Sequence, residues 1–250
     1  MACWIAALGA CIGVVAGLLG AGPSILTVLL LERAGGLDLG SAISTSLVVV
    51  ATMSLVALVP HAKAGAVLWR AAASFGLASM AGAYLGGRAS ALIPTKILTV
   101  IFLVAMMLAA VAMLWRHHSP VRGEPRTGIC GGAVLAAGGL LVGGLTGLVG
   151  LGGGFAVVPL LLVFARAPVH AAIGTSILVI AMNTLAGLAG HLPRLSVDWQ
   201  IATTLIVTES AGSLAGARLA RRVSAEALRR AFAGIMLVAA VFMLGSAVLR

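Results

Sequence analysis

Five glycines, Gly147, Gly150, Gly152, Gly153 and Gly154, fall within eight residues of the apolar stretch "GLVGLGGGFAVVPLLLVFARAP" (147–168). Each glycine costs about 1 kcal/mol inside a helix relative to alanine, so the run predicts an interruption. A helix that restarts after such a break aims unpaired N–H groups, and the positive end of its dipole, at one point. Gly153 and Gly154 have no Cβ and let an anion approach that backbone closely. The chemistry on offer is anion binding without a fixed charge. Glycines also serve as close-packing positions between helices, the reading that suits the scattered pair Gly138 and Gly139.

Further polar groups follow at helical spacing. Thr175 and Ser176 lie in "PVHAAIGTSILVIAMNTLAGLAGH" (168–191), with Asn183 seven residues beyond Ser176 and nearly on its helical face. Hydroxyls and an amide can donate to an oxyanion; alternatively they bond back to their own helix or to a neighbour. An earlier, weaker version of the set comprises Gly20 and Gly22, then Thr45 and Ser46, with Thr52 on the same face. Glu209 is the one acid well inside an apolar segment, "WQIATTLIVTESAGSLAGAR". An ionisable group is costly there. Its carboxyl is read either as a proton-coupling group or as a hydrogen-bonded structural acid. His61 and His191 close their segments and either cap helix C-termini or gate by protonation. Arg88 and Arg218 are read as anchors or as an anion-attracting vestibule.

The elements that must hold these groups are set by composition. Of 250 residues, 61% are hydrophobic and 9% charged, and mean hydropathy is +1.18. A soluble domain would need far more charge to cover its surface. Apolar stretches near the roughly 20 residues of a membrane span recur from end to end, so the chain reads as an all-α polytopic membrane protein. The net charge of +10 sits between spans, as in "RHHSPVRGEPR" (116–126), without interleaved aromatics. That pattern implies a lipid bilayer as partner and no nucleic acid. Cys3, Cys11 and Cys130 lack metal-ligand spacing and read as small hydrophobes. No metal or cofactor is implied. No HExxH, GxSxG or pair of intramembrane carboxylates occurs, so the chain is not read as an enzyme. The N-terminal "MACWIAALGACIGVVAGLLGAG" has no basic n-region and reads as a retained span.

Displaced by 130 positions, the chain aligns with itself without a gap from Gly13 to about Leu114. Gly13, Gly17, Gly20 and Gly22 fall on Gly143, Gly147, Gly150 and Gly152; His61 falls on His191, and Trp69 on Trp199. The expected organisation is a membrane repeat at 1–115, a polar linker at 116–127 and a second repeat at 128–250. About eight transmembrane helices result, four per repeat: 3–31, 41–60, 69–87 and 95–115, then 129–164, 171–190, 199–217 and 229–249. The opening stretch 129–164 would make a helix of about 54 Å against a hydrocarbon core of about 30 Å. Each repeat therefore opens with a glycine-broken helix. If the short second piece turns back, an even number of crossings makes the repeats parallel; if it crosses, they are inverted. The even count is the expectation. On that count Arg33, Arg88, Lys96, Arg166, Arg218, Arg221, Arg222, Arg229 and Arg230 share one side, nine basic residues against seven, leaving the termini outside the cytoplasm.

At these residues the chain resembles the TauE/SafE family of sulfite exporter-like membrane permeases. The pattern is carried by "GLVGLGGGFAVVPLLL" (147–162), "AIGTSILVI" (172–180) and "GSLAGARLARR" (212–222), with "GLLGAGPSILTVLLL" (17–31) and "SAISTSLVVV" (41–50) as a degraded first copy. The resemblance implies an inner-membrane transporter of small sulfur-containing anions such as sulfite or organosulfonates, driven by an ion gradient. Two departures stand out. Pro23 and Ser24 replace Gly153 and Gly154, and Ser44 replaces Gly174, so a symmetric two-break site is not implied.

The sequence thus leads to a secondary permease for a small oxyanion, with a proton as candidate coupling ion. The anion is expected near the midplane on Gly150, Gly152, Gly153 and Gly154, assisted by Thr175, Ser176 and Asn183, with Gly20, Gly22, Thr45 and Ser46 as the first-repeat set. A passive anion channel and a non-transporting accessory subunit are the alternatives. Oligomeric state is not legible.

Overall fold

The structure is a computed structural model that describes residues 2–20, 24–89, 129–149, 154–164, 167–191 and 196–248, with five isolated positions between 97 and 107. Every regular element among the described residues is an α-helix. In chain order these are α1 (Ala2–Leu19), α2 (Ser24–Arg33), α3 (Leu39–Lys63), α4 (Trp69–Ala89), α5 (Ile129–Val149), α6 (Gly154–Phe164), α7 (Val169–His191), α8 (Trp199–Ala220) and α9 (Ala225–Val248). Of these, Gly40–Lys63 and Val169–Gly190 are long and apolar enough to cross a bilayer, while Trp4–Leu19 and Gly132–Leu148 are apolar but shorter. The expected span 95–115 is described at those five positions only, and the linker 116–127 lies outside the described residues.

Two helix starts are fixed by aspartates. Asp38 accepts from the backbone N–H groups of Gly40 and Ser41 at 3.0 and 3.2 Å and from the Ser41 hydroxyl at 2.6 Å. The Ser41 hydroxyl and these N–H groups hold the Asp38 carboxyl below the usual carboxylate range. Asp198 caps α8 by accepting from Ile201 N at 3.0 Å.

Helix contact is built on small residues that let backbones touch. A Cβ on Gly13 would collide with the backbone of Glu209, and one on Gly17 with that of Ser213, so α1 and α8 meet main chain to main chain. The same device recurs 130 residues away. Gly143 meets Ser79 and Gly147 meets Ala83, joining α5 to α4, while Gly82 and Gly212 meet Leu140 and Ala10 in the reverse sense. The opening helix of each repeat therefore packs on the helix that follows α3 or α7 in the other repeat. Close packing thus accounts for Gly17, Gly147 and Gly139, the last against the backbone of Phe75.

These registers fix chain direction. Along α1 and α8 contacts advance together, Gly9 with Leu205 and Gly17 with Ser213, so the two are parallel. By the same test α4, α5 and α7 are parallel, through Gly139 with Phe75, Gly147 with Ala83, and Gly190 with Tyr84. α3 runs with α8, since Ser41 meets Ser196 at its start and His61 faces Arg221 at its end. It runs against α7, since Leu47 lies by Gly187 and His61 faces His170. α1, α3 and α8 thus begin at one end of the molecule, here the proximal end, and α4, α5 and α7 begin at the distal end.

Equivalent helices run in opposite directions, which corrects the expectation of parallel repeats. α1 leaves the proximal end and α3 leaves it again, so the chain must return across 20–38. The return runs through the short helix α2, so the short piece crosses back and the count of crossings in the repeat is odd rather than even. The structure also separates Arg33 and Arg88, at the proximal end, from Arg218, Arg221, Arg222, Arg229 and Arg230 at the distal end, whereas the even count had grouped them together.

The outward faces are apolar. Leu77 on α4 is 63% exposed and its equivalent Val207 on α8 is 68% exposed. Trp69 and Trp199, at the starts of these two helices, are also exposed and lie at opposite ends of the bundle. Phe75, Leu161, Leu205 and Leu228 are buried within one continuous core.

Candidate functional site

The break in the first repeat is built at Gly20. α1 ends at Leu19, and Gly20 has φ +61°, the left-handed conformation that stops a helix and that a Cβ disfavours. Its N–H still reaches Ala16 O at 2.9 Å, closing the final turn. Gly20 presses on Ile173 of α7, where a Cβ would collide with side chain and backbone. The Ser176 hydroxyl faces both the Gly20 carbonyl and, at 2.7 Å, its own helix at Ile173 O. Gly20 and Ser176, predicted as site residues in different repeats, are thus in direct contact. In the second repeat α5 ends at Val149 and α6 begins at Gly154. Gly22, Gly150, Gly152 and Gly153 lie outside the described residues, as does the side chain of His191.

The two threonines make a reciprocal pair of contacts between repeats. Thr175 Oγ1 accepts from Leu68 N at 2.9 Å, and Thr45 Oγ1 accepts from Asp198 N at 3.2 Å. Leu68 and Asp198 are themselves 130 apart, so one contact made twice closes opposite ends of the bundle. Both hydroxyls are fully buried and act as acceptors at the entries to α4 and α8. Ser46 donates to Ile43 O at 2.8 Å, and Thr52 to Val48 O at 2.9 Å.

Several buried polar groups have no partner. Asn183 is 2% exposed, and neither its Nδ2 nor its Oδ1 is hydrogen-bonded. The hydroxyls of Ser79 and Ser210 and the Oε2 of Glu209 share that state. Unsatisfied buried polar groups are rare, because each one gives up hydration without replacement. Glu209 Oε1 accepts from the Thr27 hydroxyl of α2 at 3.0 Å. Thr27 escaped sequence reasoning because its repeat partner is Val157 and its contact is 182 residues away. His61 donates from Nε2 to Gly17 O at 3.3 Å, tying the end of α3 to the last turn of α1 before the break. No group of three or more metal-ligating side chains occurs among the described residues.

The geometry therefore brings the Gly20 break, Ser176, Thr175 and His61 to the distal half of the bundle, and places Thr45 at the proximal end. A sulfite exporter TauE/SafE family model matches residues 5–243. The chain belongs to the TauE/SafE family. It is 35% identical over 240 residues to a "Probable membrane transporter protein" of Xylella fastidiosa strain 9a5c, covering 94% of this chain and 92% of that one. It is 28% identical over 213 residues to "Probable membrane transporter protein MJ0441" of Methanocaldococcus jannaschii, covering 81% and 78%. YunE of Bacillus subtilis, also named a probable membrane transporter protein, is 26% identical over 202 residues, covering 75% and 74%. No solved structure matches. As a TauE/SafE protein, the chain is a membrane protein of a transporter family, with a small solute and a membrane as its setting.

Proposed function

We propose that this TauE/SafE protein is a multi-pass secondary permease of the bacterial inner membrane for small sulfur-containing oxyanions such as sulfite or organosulfonates. Its working architecture is two repeats, 1–115 and 128–250, joined by a linker at 116–127. Each has the four spans read from the sequence plus the short helix after the glycine break, α2 or α6, as a returning segment. The odd count sets the repeats in opposite directions. The anion binds near the midplane, where the helices restarting at the glycine breaks aim backbone N–H groups. Gly150, Gly152, Gly153 and Gly154 bring that backbone close, and Asn183 supplies an amide donor. Ser176 holds the Gly20 break against α7, and Thr175 and Thr45 fix the entries to α4 and α8, while Gly20, Gly22 and Ser46 complete the first-repeat set.

The observation that carries this reading is the helix stop at Gly20 inside an apolar bundle, clamped by Ser176. Irregular backbone at membrane depth is tolerated only where protein or a water-filled cavity satisfies it. The unpartnered amide of Asn183 adds a buried donor without a protein acceptor. A site made of dipoles also binds weakly enough to release, which a carrier requires. No observation favours hydrolysis, and the rival that shares this geometry is a passive channel.

Radiotracer flux in proteoliposomes of the purified chain tests the proposal with sulfite, thiosulfate, short sulfonates and carboxylates. A sulfur oxyanion is expected to accumulate against its gradient; flux that only dissipates gradients marks a channel. Gly153→Leu and Gly154→Leu should each lower uptake at least tenfold while the protein still inserts and purifies. Full flux in both variants rules out the backbone site.

A further inference from the structure

We propose that Glu209 is a proton site that must be filled before an anion binds, so that anion and proton cross together; this rests on the permease reading above. The carboxyl lies on α8 with no exposed surface, its Oε1 held by Thr27 at 3.0 Å and its Oε2 unpartnered. The helices around it bring nothing to balance a charge. α1 presents Gly9 and Gly13 to it, and the titratable side chains of α1 are Cys3 and Cys11, the latter exposed. On α2 the ionisable groups are Glu32 and Arg33, on α3 His61 and Lys63, and further along α8 Arg218, all towards helix ends. No described cation is hydrogen-bonded or ion-paired to Glu209.

An isolated carboxylate in such surroundings lacks both hydration and a counter-ion, so a cation must neutralise it. A proton needs one free oxygen, and Oε2 is that oxygen. A metal ion needs several oxygens to replace its water shell, which the carboxyl and one threonine hydroxyl do not supply. The repeat partner of Glu209 is Ser79, also buried and unpartnered but without an acid function, so the inverted pair carries one carboxyl and takes one proton.

Geometry links this proton to the solute. Thr27 sits in the opening turn of α2, the helix that continues from the break at Gly20. An ionised Glu209 would repel a second negative charge at the break, whereas a protonated one would not. Proton and anion therefore favour each other's binding, and the coupling is reciprocal. The bond inventory is simple. An O–H bond forms at Oε2 with a proton from water on one side and is broken by transfer to water on the other.

The test uses the full purified chain in proteoliposomes with an entrapped pH dye and a strong-acid anion, thiosulfate or methanesulfonate, whose own titration does not confuse the count. Wild-type uptake should acidify the lumen by about one proton per anion. Glu209→Gln should keep counterflow exchange of labelled anion within twofold and lose at least tenfold of accumulation driven by an imposed proton gradient. Should that variant fail to fold, Thr27→Val, which removes the hydroxyl donor, should move the half-maximal point of the pH–uptake curve by twofold or more in proton concentration. Anion flux without acidification, an accumulating Glu209→Gln protein or an unmoved Thr27→Val curve overturns the proposal while leaving the permease standing. No flux of any anion in wild type removes both.

Discussion

Asn183 is where stability and function separate most cleanly. Its amide is buried with four hydrogen-bonding positions and no partner. A group with a purely structural task would have found a donor or acceptor, since leaving one unmade costs about 1–3 kcal/mol. Asn183→Leu removes the unsatisfied amide while keeping the same branched heavy-atom skeleton, so melting in detergent should rise by a few degrees. If the amide holds the anion, uptake by the same variant should fall at least tenfold. A lower melting temperature would mean that the amide is structurally engaged. Ser176 is the opposite case, because its hydroxyl is already committed to the carbonyls of Gly20 and Ile173. Sequence reasoning placed both on one helical face and gave them one role. The spacing was legible; the partners were not, since the Gly20 carbonyl lies 156 residues away from Ser176.

Among the elements, the breaks and the reciprocal threonines matter most. The glycine pattern made an interruption near residue 20 legible, and the structure stops α1 at Leu19 with Gly20 in the left-handed region. It could not say whether the short piece crosses or returns. Length and hydropathy are the same in both cases, and only the register against α8 and α3 decides. The threonines were read as anion ligands because two hydroxyls repeat at the same spacing. Their acceptor role was hidden, since Leu68 N and Asp198 N lie 107 and 153 residues from them. Thr45→Val and Thr175→Val each strand a part-buried backbone N–H at a helix entry, so each should destabilise the protein by about 1 kcal/mol. The serine variants, which keep the acceptor oxygen, should lose far less. The two sites are chemically equivalent, so the valine variants should match one another in thermal melts of purified protein; a loss at one site only would show that the two contacts are unequal.

The whole molecule combines an inverted scaffold with a charge distribution that does not follow the inversion. At the distal end lie Lys63, Arg70, Arg218, Arg221, Arg222, Arg229 and Arg230, with Glu226 bonded to the last two at 2.8 and 2.9 Å. At the proximal end the described charges are Arg33 and Arg88 against Glu32, Asp38 and Asp198. Read from sequence with an even crossing count, the basic residues divided almost equally. With α2 crossing back, Arg33 and Arg88 lie away from the Arg218–Arg230 group, and the described basic residues divide seven against two. Lysine and arginine near span ends favour the cytoplasmic side, where anionic headgroups also attract them. The distal end should therefore face the cytoplasm, with the start of α1 outside. In a background lacking Cys3, Cys11 and Cys130, Ser196→Cys at the proximal end should react with a membrane-impermeant maleimide in intact cells. Ala64→Cys at the distal end should react only in inside-out vesicles; both positions are exposed. The reverse labelling pattern would place the basic end outside and remove charge as the determinant of orientation. Replacing the exposed Arg221, Arg222 and Arg230 together with glutamine weakens the asymmetry, so part of that population should label at both positions from outside.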